Sequence, residues 1–166
     1  MAGIRLTKDE RYYERGLDFY HKNNPEAALA DMDEAIAAAP RKAEYYAARG
    51  LMLLQSGAVD EAEADFAQAL KLDPRQWLAH YGRGMHAYHE RRYDEAVTHF
   101  SRAQRLAPRR PEVYLHRAAA LRARGEREEA RQDVDYALEL LGEESDLPQK
   151  VRRSLQNKAR AWQAAL

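Results

Sequence analysis

The chain contains no cysteine. That excludes a disulfide scaffold, a cysteine-ligated zinc site, a thiol nucleophile and a thiol redox switch. No apolar run approaches the roughly 20 residues that a membrane span needs. Residues 1–6 carry no apolar stretch of the secretory kind, so a cytoplasmic location is expected. Serine is scarce: Ser56, Ser101, Ser145 and Ser154 are all there are, and none sits in a nucleophile context. There is no glycine-rich phosphate loop, because the eight glycines fall at turns, caps and helix crossings. Six histidines include His86 and His89, one helical turn apart, but no third ligand converges on them as zinc would require. Neither a metal, a cofactor nor catalysis is expected. An excess of one charge is also missing: 27 basic and 27 acidic side chains leave a formal net charge of zero. No overall field therefore selects nucleic acid or a membrane. What is present is 166 residues, 45% hydrophobic and 33% charged, enough for one domain or a short repeat array.

The residues recur at a fixed step. Pro40, Pro74 and Pro108 are each 34 positions apart, and the next step lands on Gly142. Arg15, Arg49, Arg83 and Arg117 keep the same phase, as do Gly16, Gly50, Gly84 and Ala118. Two alanine columns, 28/62/96/130 and 35/69/103/137, run beside a bulky one, Met32, Phe66, Phe100 and Val134. Within a unit the apolar residues follow a helical period, as in Ala62, Phe66, Ala69 and Leu70. Ser56-Gly57 and Gly125 break the helix. Each unit therefore reads as helix, tight turn, helix and a proline-marked stop. A single hairpin cannot bury its apolar faces alone, so units must stack.

In this pattern the chain resembles the tetratricopeptide repeat, on Tyr46-Ala47-Ala48-Arg49-Gly50 followed by Ala62, Phe66, Ala69 and Pro74. The resemblance implies an all-α, right-handed α-solenoid of stacked antiparallel helix hairpins, about nine helices in all. It divides the chain into an arm (1–8), four repeats (9–42, 43–76, 77–110, 111–144) and a C-terminal capping helix (145–166). The family's leucine before the glycine is arginine in all four units. His80 takes an aromatic slot and Ala87 a large one, which makes the third unit the expected weak point. Sixteen residues after each arginine stand Asp31, Asp65, His99 and Asp133. Bidentate Arg–Asp pairs across each hairpin (Arg15 with Asp31, Arg49 with Asp65, Arg117 with Asp133) would suit that place. The alternative is two solvated faces that never meet. Thr7 with Glu10 forms a capping box, starting the first helix at Lys8. Ser145-Asp146-Leu147-Pro148 starts the last helix, with Val151, Leu155, Lys158 and Trp162 on one stripe to cover the fourth unit. The rival reading of that helix is a partner-binding or dimerising one. No matching cap precedes the first unit, whose outer face is a candidate contact surface.

The resemblance implies a non-enzymatic protein–protein interaction module, an adaptor or scaffold, that holds a peptide or helix on an inner wall. That wall is expected at Tyr13, Leu17, Tyr20, Leu51, Leu54, Tyr81, Met85, Tyr88 and Leu115, with Glu10, Glu14, Glu44 and Glu112 at its margins. The Lys/Asn/Arg clamp by which some relatives grip a C-terminal carboxylate is replaced by residues such as Tyr13, Leu17, Ala48, Leu78 and Gly82, so recruitment of chaperones by that clamp is not expected. Residues 1–74 carry 9 basic and 14 acidic side chains, and residues 75–166 carry 18 and 13. Arg91, Arg92, Arg102, Arg105, Arg109 and Arg110 form a possible basic docking surface on the outer wall. An assembly subunit held by outer or terminal faces is the alternative, and nucleic-acid binding through the basic half is a third reading, disfavoured by the lack of interleaved aromatics. Self-association of acidic against basic halves is a further possibility.

Overall fold

The computed structural model describes residues 5–142 and 148–165, and among these every regular element is an α-helix. In chain order they are α1 (Lys8–His21), α2 (Pro25–Ala38), α3 (Ala43–Ser56), α4 (Val59–Leu72), α5 (Trp77–His89), α6 (Tyr93–Leu106), α7 (Pro111–Arg124), α8 (Arg127–Leu140) and α9 (Gln149–Ala165). Among the described residues no helix is long and apolar enough to cross a membrane. The chain divides into two compact units, one ending at Gly82 and one beginning at Arg83, so the division falls inside α5.

Local chemistry sets the helix ends. Thr7 is extended, and its backbone N–H donates to Glu10 Oε2 at 2.9 Å, which opens α1 at Lys8. Asn24 accepts from the Ala27 N–H at 3.3 Å and Pro25 fills the first position of α2; Pro111 does the same for α7. Between the two helices of every hairpin one residue adopts the left-handed conformation: Asn23 (φ 57°), Gly57 (φ 85°), Arg91 (φ 58°) and Gly125 (φ 90°). They are again 34 apart, a column whose identities hide it in the sequence. Glycine enters this region freely and asparagine with modest strain, whereas arginine is strained there.

In the first unit, α1 pairs with α2 and α3 with α4, and α3 also packs on α2. The core runs from Ala28, Met32, Ala48 and Met52 to Ala43, Ala47, Ala62, Phe66, Ala69 and Ala79. Phe66 is fully buried between two glycines. A Cβ on Gly50 would meet its ring at 2.7 Å, and one on Gly82 at 2.2 Å. Phe66 thus needs a small seat in its own hairpin and another at the start of the next. On α1, the positions equivalent to buried Tyr45, Ala48 and Met52 of α3 are Arg11, Glu14 and Asp18, all exposed. The leading face of the first hairpin therefore carries charged side chains where α3 carries buried ones.

In the second unit, α7 packs on α6 and α8, and α9 lies on α8 and α7. Its core gathers Tyr114, Leu115, Ala118, Leu121, Ala130, Val134, Ala137 and Ala159. The expected stripe of α9 is partly corrected: Leu155 and Trp162 pack on this core, but the buried residue between them is Ala159, while Val151 is 43% exposed. Val151 sits in the first turn of α9, and the contact begins about one turn later. Gln156 Nε2 donates to the Leu141 carbonyl at 2.6 Å, satisfying an acceptor at the end of α8. Of the expected start of α9, Ser145, Asp146 and Leu147 lie outside the described residues, as does the arm before Arg5.

Candidate functional site

The arginine column is the frame on which each wall is built. Arg15 donates through Nε and Nη2 to the two carboxylate oxygens of Asp31, both at 2.6 Å. Arg49 does so to Asp65, both at 2.7 Å, and Arg117 to Asp133 at 2.7 and 2.5 Å. The three aspartates are buried. Burial pushes the Asp133 carboxyl up against the pull of Arg117, while Asp65 and then Asp33 hold the Arg49 guanidinium firmly protonated. The same arginines also reach sixteen residues backward, to the preceding second helix. Arg49 Nη1 meets Asp33 at 2.7 Å, and Arg117 Nη1 meets Ser101 at 3.4 Å and, in a shorter contact, Gln104. The last member of that backward column, Asp135, is taken by Gln163 of α9 at 2.6 Å. Among the described residues no helix precedes α1 in this register, and the Arg15 side chain is 57% exposed against 24% for Arg49 and 18% for Arg117.

Three residues before each arginine stands an aromatic or histidine, and this is a second repeated bond. The Tyr46 hydroxyl donates to the Pro40 carbonyl at 3.2 Å, and Tyr114 to that of Pro108 at 2.9 Å. His80 Nε2 lies 3.2 Å from the Pro74 carbonyl. Arginines 15, 49 and 117 lie over the rings of Tyr12, Tyr46 and Tyr114 at 5.3, 5.9 and 5.9 Å. The stop of one hairpin is thereby tied to the first helix of the next.

On this frame the first unit presents Tyr13, Leu17, Tyr20, Leu51, Leu54 and Tyr81, all half-buried. Tyr13 stacks on buried Tyr45 with centroids 4.7 Å apart, and its hydroxyl donates to Glu44 at 3.1 Å. Burial, then Glu44, push its phenol well above the ordinary range, so it stays a donor. Tyr20 is also raised by burial. It borders an open cleft of about 430 Å³ with His21, Asn23, Pro25, Met52, Gln55 and Ser56. Leu51 and Leu54 flank the core around Phe66, and Tyr81 tilts against Trp77 at 6.2 Å. Each of these side chains therefore packs on one side and offers the other.

The second unit carries Met85 and Tyr88, both half-buried, with Tyr88 5.7 Å from Tyr93. Leu115 does not join them. It is 0% exposed, enclosed in the core that α7, α8 and α9 build, so its place on an inner wall is corrected. Its neighbour His116 stands by Phe100 at 6.1 Å, with Nδ1 2.8 Å from the Glu112 carbonyl. Burial, reinforced by Lys158 and His89, pushes the His116 pKa down to about 4. Arg91, Arg92, Arg102, Arg105, Arg109 and Arg110 are all exposed, on α6 and the turns at its ends. Arg92 pairs with Glu95 in a short contact. Among the described residues, no three His, Asp or Glu side chains converge as metal ligands would.

The model of the tetratricopeptide repeat family matches residues 13–69, 60–111 and 91–145. No curated protein matches the chain. Solved structures do. A thermophilic tetratricopeptide protein of Thermus thermophilus superposes with a TM-score of 0.75 at 19% identity, over 93% of this chain and 82% of that one. The pilF protein of Pseudomonas aeruginosa gives 0.70 at 19% identity, over 95% and 69%. The tetratricopeptide domain of Arabidopsis OM64 gives 0.61 at 25% identity, over 69% and 94%. The fold class is the all-α solenoid of helix hairpins.

Proposed function

The chain belongs to the tetratricopeptide repeat family, and we propose that it is a non-enzymatic module that binds a segment of a partner protein. The reading rests on one observation above all. In the first unit six large side chains, Tyr13, Leu17, Tyr20, Leu51, Leu54 and Tyr81, are each packed on one flank and open on the other. Such residues are already ordered before a ligand arrives, so binding costs little side-chain entropy. Tyrosine adds apolar area with a polar tip, a composition enriched where binding energy concentrates. Exposed Glu14 and Glu44 beside them favour a segment with an apolar anchor and some positive charge. In the second unit Met85 and Tyr88 offer the same kind of surface on α5. The location remains read as cytoplasmic.

The alternative is a subunit held permanently through its outer or terminal faces, and its terminal form is less favoured by the ends of the array. α9 lies over the last hairpin, and Arg11, Glu14 and Asp18 make the leading face of the first one polar. The test is affinity capture from the native host with the wild type and a Tyr20→Ala/Tyr88→Ala variant side by side. Loss of a specific partner from a variant that still melts cooperatively is the expected outcome. Undiminished capture would defeat the wall as the binding site.

A further inference from the structure

The outer face of the second unit carries a surface of different chemistry. Arg102 and Arg105 lie one turn apart on α6, and Arg109 stands in the turn that follows it, all three exposed. Among the described residues, no hydrogen bond or ion pair engages these three guanidinium groups. Beside them is an exposed aromatic. Tyr136 of α8, 40% exposed, packs against buried Tyr114 with centroids 4.8 Å apart, and the Tyr114 hydroxyl bonds the Pro108 carbonyl, next to Arg109. Arg117 locks the two helices in this arrangement, holding Asp133 of α8 together with Ser101 and Gln104 of α6. The arginines and the tyrosine are therefore borne on a rigid base.

We propose that this face docks a short acidic segment of a partner protein, with carboxylates spaced to meet the three arginines and one apolar side chain against Tyr136. Charge complementarity selects the occupant. The patch is short: α6 begins with Asp94 and Glu95, already held by Arg124 and Arg92, and Glu139 follows Tyr136 by one turn. A nucleic-acid strand, charged at every step, would run its phosphates into those carboxylates beyond the patch. An acidic helix carries negative charge only where its sequence puts it: Glu at i and i+3 faces Arg102 and Arg105, and a further Glu at i+7 extends the acidic face toward Arg109 in the turn. Arginine and tyrosine together are also the residues that concentrate binding energy at protein interfaces. The face is built from residues of the second unit alone.

The test uses a fluorescein-labelled helical peptide with Glu at i, i+3 and i+7 and an adjacent leucine, read by fluorescence anisotropy on the whole chain. The wild type binds at low salt and weakens as salt rises to about 0.3 M. Arg102→Ala/Arg105→Ala/Arg109→Ala binds about tenfold more weakly or worse, and Tyr136→Ala several-fold more weakly, each with an unchanged melting temperature. Equal affinity of the triple variant and the wild type would overturn the proposal. So would tighter binding of a thymidine oligonucleotide than of the peptide, since that would assign the face to nucleic acid.

Discussion

Phe66 is held between two residues that have no side chain to yield. A methyl added at Gly82 would stand 2.2 Å from its ring, which Gly50 blocks from behind. Gly82→Ala should therefore destabilise by about 1–3 kcal/mol, the usual cost of overpacking a tight core, read as a lower denaturant midpoint. The opposite sign is expected at Arg91. Its φ of 58° is the conformation that glycine adopts at the two equivalent positions 57 and 125. Arg91→Gly should stabilise by roughly 0.5–1 kcal/mol through relief of strain, less the extra freedom glycine gives the unfolded chain. A fall in melting temperature would show that the arginine side chain contributes more than its backbone costs. The same substitution leaves Arg102, Arg105 and Arg109 intact, so it does not disturb peptide binding there.

At the scale of the element, the hairpin is fastened by one guanidinium that reaches both ways. Asp65→Ala removes two bonds of Arg49 and leaves it with Asp33. Since Arg49 keeps an acid and remains partly solvated, a loss of about 2–3 kcal/mol is expected rather than the full cost of an orphaned buried charge. Asp60→Ala, at an exposed position in the first turn of α4, should cost well under 1 kcal/mol. Equal denaturation midpoints for the two variants would mean the pair adds nothing to the hairpin. Much of this element was legible in the sequence because the residues that make it recur with few changes: Arg and mostly Asp at a spacing of sixteen, Gly or Ala opposite a bulky residue, Pro at three of the four stops. What escaped was whatever the repeat solves with different residues. The backward partner of the arginine is Asp33, then Ser101 with Gln104, and at Asp135 the arginine itself is replaced by Gln163 from a helix outside the repeat. The left-handed turn is Asn, Gly, Arg and Gly. Leu115 misled for a related reason, since a position that is half-open in one hairpin is closed in another when a ninth helix packs on that unit.

At the scale of the molecule, the second unit carries a titrating group whose sign can be worked out. His116 is held near pKa 4 when folded, against about 6.5 unfolded. The unfolded chain therefore binds the proton first as the pH falls. The contribution is fully present above about pH 6.5, declines between there and pH 4, and is gone below, a swing of up to about 3 kcal/mol. His116→Phe should flatten that part of the pH–stability curve in equilibrium denaturation, with the carboxylate titrations common to both proteins cancelling in the difference. A curve parallel to wild type would place the acid sensitivity elsewhere. The helix that helps to enclose His116 has one more consequence. Where another hairpin would offer an arginine to the last second helix, α9 offers Gln163, and where a previous hairpin would meet α1, the chain offers Arg11, Glu14 and Asp18. The array thus ends in stops written in different alphabets, a grafted helix behind and a repainted face in front. A duplicated 34-residue segment can be spliced between them without touching either one. Lengthening by internal copying is chemically open to this chain.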